Sequence, residues 1–161
     1  MTRTPPPAEA AALPQFAECN ALALRQAARA IGQLYDRHLA EAGLRGGQFS
    51  LLVRLWQQGP MGVNALAAAA GMDRTTLNRV LQPLERDGLI EGAVSESDRR
   101  ARLLRLTPAG EKRLAEARVH WEAAQAAFET AYGVPEAAQL RGMLRALAPG
   151  GVASLRPGPA P

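Results

Sequence analysis

Cysteine occurs once in the 161-residue chain and histidine twice, at His38 and His120. A single thiol excludes an intramolecular disulfide and any thiolate zinc cluster, and fits a reducing compartment. Two histidines leave little for a metal centre or a His-based catalytic pair, so neither metal nor cofactor is expected. Aromatic residues make up only 4%, too few for a base-stacking RNA surface. No stretch approaches the roughly 18 consecutive apolar residues of a membrane span. The N-terminus shows no apolar signal-peptide core, so a cytoplasmic protein without a membrane partner is expected. A phosphate-binding glycine loop, a Gly-x-Ser-x-Gly elbow and a His/Asp/Glu metal cluster are all missing, which argues against an enzyme.

Lysine is nearly missing as well. Lys112 stands alone, and the other basic residues among the 19 are arginine, against 15 acidic residues, for a net charge of +4. Arginine offers a planar fork suited to phosphates and guanine edges. It is equally what an Ala/Arg/Gly/Pro-rich coding bias produces, so the sequence pI of about 10.2 suggests nucleic acid only weakly. With 47% hydrophobic and 21% charged residues, the composition fits one globular domain with a real core.

Both ends read as mobile tails. Thr2 to Pro7 is proline-rich, and Pro149 to Pro161 carries four prolines and three glycines with almost nothing to bury. Between them the pattern is mostly helical. From about Leu13 to Ala42, the residues Phe16, Leu24, Ala27, Ile31, Leu34 and Leu39 share one broad face, and Gly43 is a plausible stop. A second helix is predicted over Gln48–Gln57 with Phe49, Leu52, Val53 and Trp56 facing inward, broken by Gly59-Pro60. Asn64 is the expected N-cap of a short helix, Ala65–Ala70, ended by Gly71. Asp73 caps the next, with Leu77, Val80, Leu81 and Leu84 inside, Gly88 as its stop, and Pro83 expected to bend its last turns.

After Gly88 the period changes. Leu89–Val94 and Arg102–Leu106 read as paired strands around the charged tip Ser95–Arg100. Thr107 caps a long helix with Pro108 at its first position, running to about Tyr132 with Leu114, Ala117, Trp121, Ala124, Phe128 and Ala131 as its seam. Pro135 opens a last helix bearing Leu140, Met143, Leu144 and Leu147 on one face.

The segment from Leu66 to Val80 has the layout of a helix-turn-helix. Ala67 lets two helices approach, Gly71 turns the chain, and Leu77 and Val80 fill the angle. The outward residues of the second helix are Arg74, Thr75, Thr76, Asn78, Arg79 and Gln82, nearly all hydrogen-bonding side chains suited to base edges and phosphates. An αα-corner with a solvated polar face would look similar. The hairpin tip with Asp98, Arg99 and Arg100 adds a basic wing able to reach the minor groove, although charges also protect strand edges.

These segments together resemble the MarR family of winged helix-turn-helix regulators. The resemblance rests on Met72-Asp73-Arg74-Thr75-Thr76-Leu77, Leu84-Glu85-Arg86-Asp87-Gly88-Leu89-Ile90, Asp98-Arg99-Arg100 and Leu106-Thr107-Pro108-Ala109-Gly110, and extends over about Cys19 to Leu147. It implies a mainly α fold with a small β-hairpin wing, and a homodimer built from the first helix and the last two. The implied organisation is a tail over 1–12, an N-terminal dimerisation helix over 13–45 and a winged helix-turn-helix lobe over 46–107. C-terminal dimerisation helices over 108–148 and a tail over 149–161 follow. The helix from Arg74 to Asp87 becomes the major-groove reader and Arg100 the minor-groove side chain, with Asp98 bracing the wing. The partner would be double-stranded DNA with a roughly palindromic site, its half-sites about one helical turn apart.

Regulators of this kind often respond to small aromatic ligands, for which Arg25, Tyr35, His38 and Trp56 are the candidates here. Tyr35 and Trp56 are equally good core residues, and His38 an ordinary half-exposed one. Some relatives sense hydroperoxides through one cysteine in the first helix. Cys19 lies slightly early for that role, without a neighbouring Lys or His in sequence, and reads better as a buried structural thiol. The alternatives to a ligand-released repressor are a redox-sensing repressor using Cys19 and a winged-helix protein-interaction module that binds no DNA.

Overall fold

A computed structural model describes residues 18–94 and 102–147. The chain order is α1 (Asn20–Leu39), a 3-10 turn (Ala40–Ala42), α2 (Gly46–Gln58), β1 (Met61–Gly62), α3 (Val63–Ala70), α4 (Arg74–Arg86), β2 (Ile90–Val94), β3 (Arg102–Leu106), α5 (Pro108–Tyr132) and α6 (Val134–Ala146). The expected fold class is therefore observed: mainly helical, with a small antiparallel sheet. That sheet has three strands in the order β1-β3-β2, with Ile90 opposite Leu106 and Glu91 opposite Arg105. The tails and the tip from 95 to 101 lie outside the described residues, as do Phe16 and the predicted helical stretch before it.

One core joins the elements. Leu39, Leu51, Leu52, Leu66, Leu77, Leu84, Ile90 and Leu104 are fully buried and bring α1, α2, α3, α4 and the sheet onto a common centre. Each such side chain contributes about 1.5–3 kcal/mol by leaving water. Ala67 on α3 is only 7% exposed and belongs to this core, and Val80 packs against the same cluster.

The helix ends follow from local chemistry. Gly71 (φ 64) and Gly88 (φ 68) take the left-handed conformation that a residue with a Cβ resists. At each, two amides close the last turn onto its free carbonyls: Gly71 and Met72 donate to Ala68 and Ala67, Gly88 and Leu89 to Glu85 and Leu84. Asp73 accepts from the Thr76 amide (2.9 Å) and Thr107 from the Gly110 amide (3.0 Å), so two of the three predicted N-caps are present.

Several expectations are corrected. Asn64 is not a cap: α3 starts at Val63 with Gly62 before it, because β1 pairs with β3 and runs straight into the helix. β1 itself went unread, since two residues have no alternation to detect. Trp56 does not face inward but is 64% exposed, because Leu51, Leu52 and Leu55 occupy the core side of α2. The apolar faces read on the first and last helices leave Leu24 on α1, and Met143, Leu144 and Leu147 at the α6 end, exposed. Periodicity marks an apolar face without saying what covers it. Pro83 sits inside α4, which continues beyond it to Arg86.

Candidate nucleic-acid interface and ligand groove

α4 presents the polar face read from the sequence. Arg74, Thr75, Asn78, Arg79 and Gln82 are all exposed, while Leu77, Leu81 and Leu84 anchor the opposite side in the core. Thr76 differs from its neighbours. It is half-buried and its hydroxyl donates to Asp73 Oδ2 at 2.6 Å, so it braces the start of the helix rather than projecting outward. The hydrogen bonds from the Thr76 hydroxyl and amide hold the Asp73 carboxyl below its ordinary value, keeping it a charged acceptor at the positive end of α4. Among the described residues neither Arg74 nor Arg79 is committed to an acidic partner. Asp98, Arg99 and Arg100 lie outside the described residues.

The base of the wing is fixed by a cross-strand pair. Arg105 meets the Glu91 carboxylate through Nε (2.8 Å) and a terminal guanidinium nitrogen (2.7 Å), directly opposite in the β2–β3 register. The far end of α4 is tied to α5. Thr107 donates its amide to the Leu89 carbonyl (3.1 Å) and its hydroxyl to the Gly88 carbonyl (2.6 Å).

Between α2 and α5 runs a groove of about 720 Å³. Phe49, Val53, Leu114 and Trp121 supply apolar lining, and Trp56, Arg54, Glu111 and Arg118 contribute further walls. Phe49 and Trp121 are nearly parallel, with ring centroids 6.1 Å apart. Arg118 pairs with Glu122 at 2.7 Å, whereas Arg54 has no acidic partner among the described residues. The groove thus offers aromatic faces and an uncommitted guanidinium, a setting for a planar anion.

Of the four effector candidates, only Trp56 lines this groove. Tyr35 belongs to a chain of contacts joining α1, α5 and α6. Its hydroxyl donates to Gln125 Oε1, the Gln125 amide donates to Glu129 (2.7 Å), and Arg141 donates to the same Glu129 oxygen (3.0 Å). Burial, and then the Glu129 charge, push the Tyr35 phenol above its ordinary value, with Arg141 opposing. Arg25 is exposed and reaches back to the Ala21 carbonyl (3.4 Å), and His38 is half-buried near the end of α1. The sequence reading missed Arg54, Arg118 and Phe49 as groove residues and took Trp121 for helix seam. A lone Arg on a helix carries no signal until a second helix is laid beside it. Cys19 is half-buried at the N-cap of α1, not the buried helical thiol expected.

Among the described residues no group of three metal-ligating side chains occurs, and no helix is long and apolar enough to cross a membrane. No curated protein sequence matches the chain. The MarR family model matches residues 45–101, the stretch from the residue before α2 to the residue before β3. The transcriptional regulator MosR of Mycobacterium tuberculosis, solved in complex with DNA, is 34% identical. That alignment covers 82% of this chain and 100% of MosR, with a TM-score of 0.66. The transcriptional repressor CouR, bound to a 23-mer DNA duplex, is 27% identical with a TM-score of 0.76, over 83% of this chain and 95% of that one. The fold is also that of BpsR of Bordetella bronchiseptica, whose DNA binding is regulated by 6-hydroxynicotinic acid (23% identity, TM-score 0.75, covering 83% and 96%). With the exposed polar face of α4 and the β2–β3 hairpin base in place, and similarity to DNA-bound regulators over more than four fifths of the chain, the chain belongs to the MarR family of DNA-binding transcriptional regulators.

Proposed function

We propose that the protein is a homodimeric repressor that holds a roughly palindromic operator and releases it when a small planar aromatic anion enters the α2–α5 groove. The DNA-reading half is carried by one observation, the exposed donor face of α4 with its two uncommitted arginines. Arg74 and Arg79 serve phosphates or guanine edges, Asn78 and Gln82 suit adenine edges, and Thr75 suits either. Thr76 keeps the helix start in shape. Arg100 is assigned to the minor groove, with Arg99 on the neighbouring backbone and Asp98 bracing the wing.

The apolar residues left in water on α1 and α6, including Leu24, Val134, Met143, Leu144 and Leu147, support a dimer made by these helices with α5. Two reading helices related by a two-fold axis favour a palindromic site. The groove supports the ligand half: its aromatic lining suits a planar ring, and Arg54 suits a carboxylate on it.

Fluorescence anisotropy on a labelled operator tests both halves. Arg79→Ala should weaken binding about tenfold, and benzoate- or nicotinate-type acids should quench Trp56 and Trp121 while lowering operator affinity. Unchanged operator affinity in Arg79→Ala overturns the reader assignment. Tryptophan emission indifferent to every such acid overturns the groove.

A further inference from the structure

The Thr107 side chain does two things at once. Its oxygen accepts the Gly110 amide at 3.0 Å, capping α5, and its hydrogen goes to the Gly88 carbonyl at 2.6 Å, at the turn that ends the reading helix. The Thr107 amide adds a bond to the next carbonyl, Leu89, at 3.1 Å. Gly110 completes the joint, because a Cβ there would lie 2.0 Å from the Leu89 carbonyl oxygen. The first turn of α5 therefore rests against the backbone at the end of α4 with no side chain between them. Leu89 in turn is fixed from the other side by donating to Leu84.

We infer that Thr107 is a positioning residue for operator recognition, setting the angle of α4 against α5 and with it the spacing at which a dimer reads two half-sites. This rests on the reading of the chain as a dimeric DNA-binding regulator. α5 runs from this joint toward α6 and the exposed apolar faces, so the joint is the short route between the dimer side of the molecule and the reading helix. The route is made of backbone carbonyls and one hydroxyl, with no long side chain to absorb a change of angle. Each base pair added between half-sites moves one half-site by about 3.4 Å and turns it by roughly 35°. A joint that holds α4 at one angle should therefore select one spacing, and a loosened joint should tolerate its neighbours.

Three substitutions separate the latch from the cap. Thr107→Asp keeps an oxygen for the Gly110 amide but, ionised, has no hydrogen to give the Gly88 carbonyl. Thr107→Val removes both functions, and Thr107→Ser keeps both. The measurement is operator affinity of the full chain on a selected palindrome and on the same duplex with one or two base pairs inserted or deleted between half-sites. The ratio of affinities within one protein cancels the extra charge of the Asp variant. The wild-type and Ser proteins should share one strong preference, and the Asp and Val variants should lose about fivefold of it, the scale of one net hydrogen bond. Circular dichroism confirms that each variant is folded, and if Val is not, the Asp variant decides. A wild-type spacing preference kept intact by Thr107→Asp overturns the latch, whatever Val does. A wild-type chain that binds no duplex, or all spacings alike, overturns the dimeric reader and the latch with it.

Discussion

Replacing Gly110 by Ala tests the joint between the end of α4 and α5 most severely. By propensity alone the change should help: alanine in place of glycine within a helix gains about 0.5–1 kcal/mol. The structure opposes it. The new methyl would meet the Leu89 carbonyl oxygen at 2.0 Å, its carbon at 3.0 Å and Leu106 Cδ2 at 3.3 Å, and the nearest of these belong to backbone that cannot rotate away. To restore ordinary contact α5 must retreat by more than an ångström. Overpacking of this kind costs about 1–3 kcal/mol. The same retreat stretches the Thr107 bonds to Gly88 and Leu89, each worth about 1 kcal/mol net. The balance is a loss of about 2–4 kcal/mol, or roughly 4–16 °C in melting temperature for a chain of this size. Thermal unfolding followed by circular dichroism, at one protein concentration, measures it. Gly32→Ala provides the opposite case, since that position lies within α1 and a Cβ there meets nothing within 4 Å; a gain of about 0.5–1 kcal/mol is expected. A Gly110→Ala protein that melts at or above the wild-type temperature would refute the contact reasoning outright.

The Asp73 cap is held below its ordinary pKa of 3.8, so its contribution is complete at neutral pH and is lost as pH falls through the lower folded-state value. Denaturant melts from pH 7 toward pH 3 should show the advantage of wild type over Asp73→Ala shrinking with acid; a constant gap contradicts it. The Tyr35 phenol is raised above 10.0, so the stability it lends persists below that pH and is lost as pH climbs through the folded-state value. Alkaline titration of phenolate absorbance should show a late component that Tyr35→Phe abolishes, and that variant should lose about 1 kcal/mol with its bond to Gln125. Leu77, fully buried on the inner face of α4, should cost about 2–5 kcal/mol on truncation to Ala by guanidinium unfolding.

What could be read in advance divides along a physical line. The caps at Asp73 and Thr107, the glycine turns at Gly71 and Gly88, and the inward Leu77, Leu81 and Leu84 are local, each determined by neighbours within a turn or two of chain. The polar face of α4 followed from the same periodicity. Tertiary placement was not legible. Trp56 sits one position from Leu55, and only the fold decides which of the two is inside. Arg54 and Phe49 become neighbours of Trp121 only when α2 lies along α5. Tyr35, readable from sequence as a ligand candidate or a core residue, forms the α1 end of a network on Glu129 that only the packing of α1 on α5 reveals. The motif Leu-Thr-Pro-Ala-Gly was recognisable as a pattern, but its reason, a threonine latch and a glycine against Leu89, depends on a contact across the hairpin.

The central claim is that α4 and the wing read duplex DNA as a pair. Selection of bound duplexes from a random pool tests it directly, with the recovered site titrated at several salt concentrations. The account predicts enrichment of one roughly palindromic sequence, half-sites about one helical turn apart, and an affinity that falls steeply and log-linearly with salt. A pool that enriches no sequence, or a single unrepeated half-site bound with an affinity indifferent to salt, would contradict it.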